Sequence, residues 1–565
     1  MGAVIYTDKT ECRDCYKCLR NCPVKAIKIE HGHASVVDEL CIHCGTCIKI
    51  CPKNAKKYRK ETSIVKNLFL NNEMVAASLA PSFAALFSEW ELKRIPSALR
   101  KLGFNYVAET ASGAGPVASL SATYFFEKGG SLIDSACPVC VNFIEKYHPE
   151  FINNIIPYSS PFIFHAKAIK KILGENTKIV FIGPCIAKKD EARRPENQNL
   201  IDAVITFEEL NELFEEFNII LEQCEESDFD WPCNNTALSF PVPGGACLTG
   251  GITDSDNTIT INADGFRKIS DVLDNFSDYK GNVFIESLFC SGGCINGPAC
   301  NSKQPLFVRK HNINKYMINS QKNSDKDNIK FPEFVSLQNF KNKEFLNNHF
   351  ISEQQIEDIL NKTGKSSREN QLDCGACGYD TCREKAIAVI NGMAQSWMCM
   401  PYMRRIAESR TDKIIESSPN GIVIIDEKLN ILSMNGAFKK YFMCSNSTVG
   451  NNISKIMEPF YFEKVISNSQ EIIESNINFP QYNLVCHQII YKLPGENQYA
   501  GIFVNITNSQ LSRKNLERIK KETVTQAKEL LEHQLEVSQQ LAKFLGENTA
   551  RSEEILEKLI KSVRD

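Results

Sequence analysis

Four cysteines drawn from three distant stretches form the densest chemical grouping of the chain. The stretches are Ser135-Ala136-Cys137-Pro138, Gly183-Pro184-Cys185-Ile186-Ala187-Lys188-Lys189, and Glu286-Ser287-Leu288-Phe289-Cys290-Ser291-Gly292-Gly293-Cys294. Four thiolates are the number that closes a 4Fe-4S cube, and a Cys-x3-Cys pair beside two glycines lets the backbone approach a bulky inorganic centre. Lys188 adds a fixed cation, useful where a ligand is anionic.

These loops need a scaffold. Between 60 and about 350, short apolar runs alternate with amphipathic stretches, the pattern of an α/β domain. Val75-Ala76-Ala77-Ser78-Leu79 and Lys178-Ile179-Val180-Phe181-Ile182 read as buried strands ending in a proline turn. Cys185 then sits at a carboxyl edge, where open α/β sheets place their sites. Phe143-Ile144-Glu145-Lys146-Tyr147 reads as a helix leaving the first loop, with Cys140 one turn beyond Cys137. Residues 301–348, rich in Asn and Lys, read as a mobile surface segment.

Further cysteines flank this region. Cys12-x2-Cys15-x2-Cys18-x3-Cys22-Pro23 recurs as Cys41-x2-Cys44-x2-Cys47-x3-Cys51-Pro52, the two-cluster ferredoxin pattern in which each fourth cysteine crosses over. One cluster takes Cys12, Cys15, Cys18 and Cys51, the other Cys41, Cys44, Cys47 and Cys22. Paired Cys-x2-Cys also binds zinc; eight cysteines with two Cys-Pro endings point to iron-sulfur and a one-electron relay. His43, inside the second quartet, is expected to be a solvated loop residue. Ser352-Glu353-Gln354-Gln355 has capping-box spacing and opens a helix. A polar linker leads to Cys374-Gly375-Ala376-Cys377-Gly378-Tyr379-Asp380-Thr381-Cys382 and Cys399, which resemble a small 4Fe-4S domain with Cys374, Cys377, Cys382 and Cys399 as ligands; zinc fits the ligand count alone, and the Gly-rich Cys-x2-Cys-x4-Cys arrangement favours iron-sulfur.

Residues 406–508 carry no cysteine cluster. Ile422-Val423-Ile424-Ile425-Asp426, a turn, Ile431-Leu432-Ser433-Met434-Asn435 and strands near 483–491 and 500–506 resemble a PAS domain. His487 beside a strand is read as packed or exposed rather than as a haem ligand. Residues 509–565 are helical by composition but keep no strict heptad. A signalling helix that pairs with a second copy and a solvated helix packed on the PAS domain are both open.

The three loops together, with Ala80-Pro81-Ser82 and Leu102-Gly103-Phe104, resemble the signature loops of the FeFe-hydrogenases, and the whole arrangement resembles the sensory members that carry a PAS domain. That resemblance implies an H-cluster, a 4Fe-4S cube joined through one cysteine to a diiron unit carrying CO, cyanide and a bridging dithiolate. Cys137, Cys185 and Cys290 match ligands of the cube alone, and Cys294 the bridging ligand. Lys188 and Ser82 match cyanide contacts, with Pro81 and Pro161 beside them in the cofactor pocket. Three further 4Fe-4S clusters complete the cofactor set.

The family's proton-transfer cysteine is replaced by Ala136. A thiol exchanges a proton with a neighbouring base, whereas a methyl group has none to exchange. Gly115 to Ala122 contains no carboxylate, Ile156 stands for an expected serine, Gly183 and Leu288 for two methionines, and Phe162 for a glutamine. Cys140, Cys247 and Cys300 could form a substitute relay, although spacing alone does not bring Cys247 to the cluster.

The expectation is a multidomain α/β protein: a two-cluster ferredoxin domain over 1–58, an H-cluster domain over 60–360, a small 4Fe-4S domain over 366–405, a PAS domain over 406–508 and a helix or coiled coil over 509–565. Its expected function is hydrogen sensing by a slow hydrogenase. The alternatives are a slow ferredoxin-linked catalytic hydrogenase and an iron-sulfur scaffold lacking the diiron site. Implied partners are H2 and protons, a ferredoxin or other redox partner, hydrogenase maturation proteins, a downstream kinase or phosphatase, and a second copy in a homodimer. A hydrophobic content of 43%, charged content of 24% and net charge of −3 over 565 residues fit a globular chain with several cores and give no argument for nucleic acid or a membrane. No run of about 18 apolar residues and no signal-peptide pattern is present, so a cytoplasmic location is expected. The spacing of the 23 cysteines speaks for metal rather than disulfides.

Overall fold

A computed structural model describes residues 3–71, 73–233, 236–300, 302–322, 332–344, 351–467, 471–493 and 497–507. The helix expected over 509–565 lies outside these residues. The chain divides into two compact units, Met1–Ser396 and Trp397–Asp565.

In the first unit the ferredoxin repeat is built around two short helices, Lys17–Arg20 and Thr46–Lys49, and a hairpin pairing Ile27–Glu30 with His33–Val36. The two halves use the same local device: the Ala26 N–H donates to Cys22 Sγ at 3.3 Å, and the Ala55 N–H to Cys51 Sγ at 3.2 Å.

The α/β region holds two all-parallel sheets. One orders Tyr106–Glu109, Val75–Leu79, Lys178–Gly183 and Ala203–Thr206; the other orders Thr258–Asp264, Asn282–Leu288 and Ser131–Ile133. Val75–Leu79 is buried along its whole length and pairs residue for residue with 178–182, as apolar runs covered on both faces do. Cys137, Cys185, Cys290 and Ser82 each follow the carboxyl end of one of these strands. Parallel strands all point one way, so their ends deliver distant sequence to a shared edge.

The expected mobile segment is corrected in part. Leu306–Lys322 is a helix, anchored by Ile313, which is 1% exposed. Its Arg309 donates to the Ile295 carbonyl at 2.6 Å and to Asn296 Oδ1 at 3.2 Å, bracing the third loop. A stripe of few apolar residues among Asn and Lys concealed this anchor. The capping box at Ser352 opens Glu353–Lys362, as its spacing predicts.

The second unit begins with the helix Met400–Ser417, whose N-cap is Cys399. It leads into a five-stranded antiparallel sheet in the order Ile431–Met434, Gly421–Asp426, Gln498–Asn505, Leu484–Lys492, Ile472–Phe479. Asn435, fully buried, donates to the carbonyls of Ile415 at 2.9 Å and Asn420 at 2.8 Å, tying the helix end to the sheet. His487 is buried, with Nδ1 2.7 Å from Asn476 Oδ1. Among the described residues no helix is long and apolar enough to cross a membrane.

Candidate cluster site

Loop one leaves Ser131–Ile133 and passes directly into the helix Pro138–Tyr147, with Cys137 as N-cap. Loop two leaves Lys178–Gly183, and loop three leaves Asn282–Leu288. Loops two and three touch, because the Ala299 N–H donates to the Pro184 carbonyl at 3.3 Å. Burial first, and then the charges of Cys294, Cys185 and Cys137, push the Cys290 thiol up; burial and the charges of Cys137 and Cys185 do the same at Cys294. The four cysteines therefore lie near enough for each to feel the charge of others, with Cys137 buried and Cys185, Cys290 and Cys294 half-buried.

Among the described residues no three His, Cys, Asp or Glu side chains crowd closely enough to hold a single metal ion.

The surroundings fit the cluster that the resemblance implies. Ser82 Oγ is buried with no hydrogen-bond partner, which leaves its proton for an acceptor in the pocket. A Cβ on Gly293 would lie 2.3 Å from the Pro241 carbonyl oxygen, so only glycine lets loop three turn here. Gly183 has no room for a methionine, since a Cβ would meet the Phe181 ring at 2.7 Å. Lys188 lies over the Phe162 ring at 5.0 Å and donates to Ser160 Oγ at 3.0 Å and to the Ala136 carbonyl at 3.4 Å.

Lys188 also meets Glu191, at 2.7 Å. Glu191 was missed in the sequence, although its i,i+3 spacing from Lys188 was visible. The carboxylate neutralises the ammonium, so Lys188 is not the free cation that the loop sequence suggests.

The expectation for His43 is overturned. It is 3% exposed and bridges Asp38, at 3.0 Å, and Asp190, at 3.5 Å. Together with Lys146 donating to the Cys41 carbonyl at 2.7 Å and Tyr147 donating to the Leu40 carbonyl at 2.6 Å, it docks the second ferredoxin repeat onto the loops. The charge of Cys44 reaches Cys290, which puts the two cluster sites side by side.

Within the repeat, Cys41, Cys44, Cys47 and Cys22 sense one another's charge beneath a dominant effect of burial, and Cys18 senses Cys15 and Cys12. Cys22 thus lies near the cysteines of the second motif. The loop carrying Cys374, Cys377 and Cys382 lies against the first repeat: a Cβ on Gly378 would meet Leu19, Arg20 donates to the Ala376 carbonyl at 3.4 Å, and the charges of Cys377 and Cys22 add to burial in pushing the Tyr379 hydroxyl up. Cys399 belongs to the second unit.

Two of the three cysteines considered for a proton relay adjoin cluster cysteines, and the third adjoins Glu286. Cys140 hydrogen-bonds Cys137, Cys300 Sγ donates to the Cys294 carbonyl at 3.6 Å, and Cys247 lies next to Glu286.

The family model for the iron-only hydrogenase large subunit, C-terminal domain, matches residues 73–298, and one for a 4Fe-4S dicluster domain matches 4–52. An Fe-S cluster family matches 370–401 and a PAS domain family 409–476. Iron hydrogenase 1 of Clostridium pasteurianum is 28% identical over 392 residues, covering 56% of this chain and 68% of that protein. The NADP-reducing hydrogenase subunit HndD of Solidesulfovibrio fructosivorans is 27% identical over 302 residues, covering 45% and 51%. The chain thus spans about half of one of these relatives and about two thirds of the other. A probable cytosolic Fe-S cluster assembly factor of Drosophila virilis is 28% identical over 224 residues, covering 30% and 47%. Among solved structures, the FeFe-hydrogenase HydA1 of Chlamydomonas reinhardtii superposes with a TM-score of 0.39 at 15% identity, covering 50% of this chain and 99% of that one. The chain thus combines a region similar to the iron-only hydrogenase large subunit with a dicluster 4Fe-4S domain, an Fe-S cluster segment and a PAS domain.

Proposed function

We propose that this protein is a hydrogen sensor: an FeFe-hydrogenase of low turnover whose redox state is passed through 4Fe-4S clusters to the PAS domain. The observation that supports this reading is the mutual charge effect among Cys137, Cys185, Cys290 and Cys294, together with a buried, unpartnered Ser82 hydroxyl on the loop after Val75–Leu79 and a position next to Cys137, Ala136, that offers only a methyl group. When bound, the H-cluster supplies reversible heterolytic hydrogen chemistry. The chain holds it through four thiolates, donates a hydrogen bond from Ser82, and keeps Lys188 beside it. Losing a general acid costs about 10²- to 10⁴-fold in rate, which a sensor tolerates and a metabolic enzyme does not.

Electrons leave past Cys44, which lies by Cys290, and the Cys22–Tyr379–Cys377 neighbourhood offers the exit toward the small cluster. Within the second unit, Cys399 caps the helix that Asn435 ties to the PAS sheet. Output then passes to a separate kinase or phosphatase, with residues 509–565 as the pairing segment of a homodimer. Maturation proteins supply the diiron unit.

Infrared spectra of matured protein under hydrogen and then argon test this reading. Metal-bound CO and cyanide bands that shift reversibly between the gases, with weak turnover, support the sensor. Fast turnover with a soluble ferredoxin would favour the catalytic hydrogenase. Absence of the bands while a control hydrogenase matures would favour the iron-sulfur scaffold, a reading consistent with the Lys188–Glu191 pair and with the assembly-factor relatives.

A further inference from the structure

A row of polar groups crosses the three-stranded sheet next to the cluster loops. The parallel register sets Asn262 beside Glu286, and Ile285 beside Ile133. The Asp134 N–H donates to the Ile285 carbonyl at 2.9 Å, which continues that register. Asp134 is therefore the neighbour of Glu286 on the adjoining strand, about 4.8 Å away along the backbone. Side chains alternate along a strand, so Asn262, Glu286 and Asp134 share one face, opposite that of Ile285 and Ile133.

Both carboxyls are buried, Asp134 at 3% and Glu286 at 2% exposure, and neither has a cationic side chain as a hydrogen-bond partner. The inner end of the row reaches the first loop, where Asp134 accepts the Ala136 N–H at 3.3 Å. At the outer end, Glu286 accepts the N–H groups of Gly244 at 2.9 Å and of Ala246 and Cys247 at 3.1 Å. Cys247 Sγ donates to Asn262 Oδ1 at 3.6 Å, and Asn262 is exposed. The row thus runs from solvent to the residue before Cys137.

Resting on the hydrogenase reading, we propose that Asp134 and Glu286 carry protons between the surface at Asn262 and the pocket face at Ala136, with Cys247 as the outer link, in place of the thiol that position 136 lacks. Each step moves one proton and no electron. A proton that a water molecule brings past the Ala136 methyl group is taken by the Asp134 carboxylate, which passes one to Glu286; Ala136 itself carries none. Glu286 passes one to the Cys247 sulfur as the Cys247 S–H proton moves to water at Asn262, so solvent gains one proton. The reverse sequence serves proton reduction. Burial pushes Glu286 up to about 7, with the nearby Asp134 charge adding to it and the N–H groups of Cys247 and Gly244 opposing it. Burial pushes Asp134 up to about 6 against the N–H groups of Ala136 and Ser135 and the charge of Lys188. These values suit carriers that both gain and lose a proton near neutrality.

The test uses the full chain loaded with all its clusters, as wild type and as Glu286→Gln, Asp134→Asn, Cys247→Ala and Cys247→Ser. Expected are rates of hydrogen-dependent reduction lower by about 10²-fold in E286Q and D134N, a changed pH profile, a larger solvent isotope effect in heavy water, and unchanged iron content and CO and cyanide bands. C247A loses less, and C247S regains it. Unchanged rate and isotope effect in E286Q overturn the relay, as does a rate loss matched by lost iron, which marks Glu286 as a strut for residues 244–247. A second readout uses protein carrying the cubes alone: infrared carboxyl signals of Asp134 and Glu286 should titrate as a coupled pair, so that E286Q moves the Asp134 titration. Independent titration overturns the relay. If wild type shows no hydrogen response, the hydrogenase reading fails, and the carboxyl titration still decides whether the two groups are coupled.

Discussion

The two halves of the ferredoxin repeat share a backbone and differ in what they hold. Asp14 and His43 occupy equivalent places with φ of 51° and 60°, as do Tyr16 and Gly45 with 57° and 72°. Both halves thus need the left-handed turns that wrap a cluster. In the first half Tyr16 keeps a side chain, and its hydroxyl donates to Asp14 at 3.1 Å. In the second, a Cβ on Gly45 would come within 2.5 Å of Pro298 in the third loop. Arg20 reaches the Cys374–Cys382 loop, and its counterpart Lys49 reaches Asn296 at 2.9 Å. One cluster-binding scaffold therefore presents its first half to the small iron-sulfur segment and its second half to the hydrogenase loops. Ligand spacing sets the turns, and the residues between the ligands choose the neighbour.

The largest expected effect separates the halves functionally. Cys44→Ser should abolish hydrogen-driven reduction of every cluster beyond the second half, seen as missing reduced iron-sulfur signals in paramagnetic resonance after exposure to hydrogen. Cys15→Ser should leave reduction of the second-half cluster in place. Equal loss in both would mean that electrons do not leave through Cys44.

Next comes the docking turn. Gly45→Ala adds a methyl where backbone and Pro298 both resist it, and should cost about 1–3 kcal/mol in thermal or denaturant unfolding. Its counterpart Tyr16→Phe loses one hydroxyl bond and should cost about 0.5–1.5 kcal/mol. A reversed order would sink the assignment of the second half as the docking face.

Lys56 belongs to both halves. It is 3% exposed, donates to Thr7 Oγ1 at 2.6 Å, and its charge opposes the upward push of burial at Cys18 and at Cys47. Lys56→Gln should lower both cluster reduction potentials together, since reduction adds negative charge that the cation stabilises. A potentiometric titration in which only one cluster moves would place the lysine with that half alone. Smallest are the surface contacts: Lys49→Ala and Arg20→Ala should each change stability by no more than about 1 kcal/mol, with only Lys49→Ala slowing electron transfer from the hydrogenase loops.

Much of the site was legible because iron-sulfur ligation writes itself as cysteine spacing. The crossover of Cys22, the strands 75–79 and 178–182, the helix after Cys137 and the antiparallel sheet behind Gly421 all follow from local pattern. The strands Thr258–Asp264 and Ile472–Phe479 were harder: in the first, Ile259 and Asn262 are both exposed, and in the second, Ile472 is exposed while the polar Ser475 takes an inward position. His43 was misread because polarity at a loop position usually means solvent, and nothing local announces that Asp190 will arrive from 147 residues away to bury it.

The sequence by itself determined which atoms can hold iron, since thiolate count and spacing are local properties, and it determined that Ala136 can hand on no proton. Only the tertiary structure decided which groups stand between the clusters and around them. Lys188 met Glu191 across one turn, Arg309 closed on the third loop from a helix, and Asp134, Glu286 and Asn262 came into one row through the register of three parallel strands. Register and docking are fixed by packing distant segments against one another, and no stretch of sequence contains that information alone.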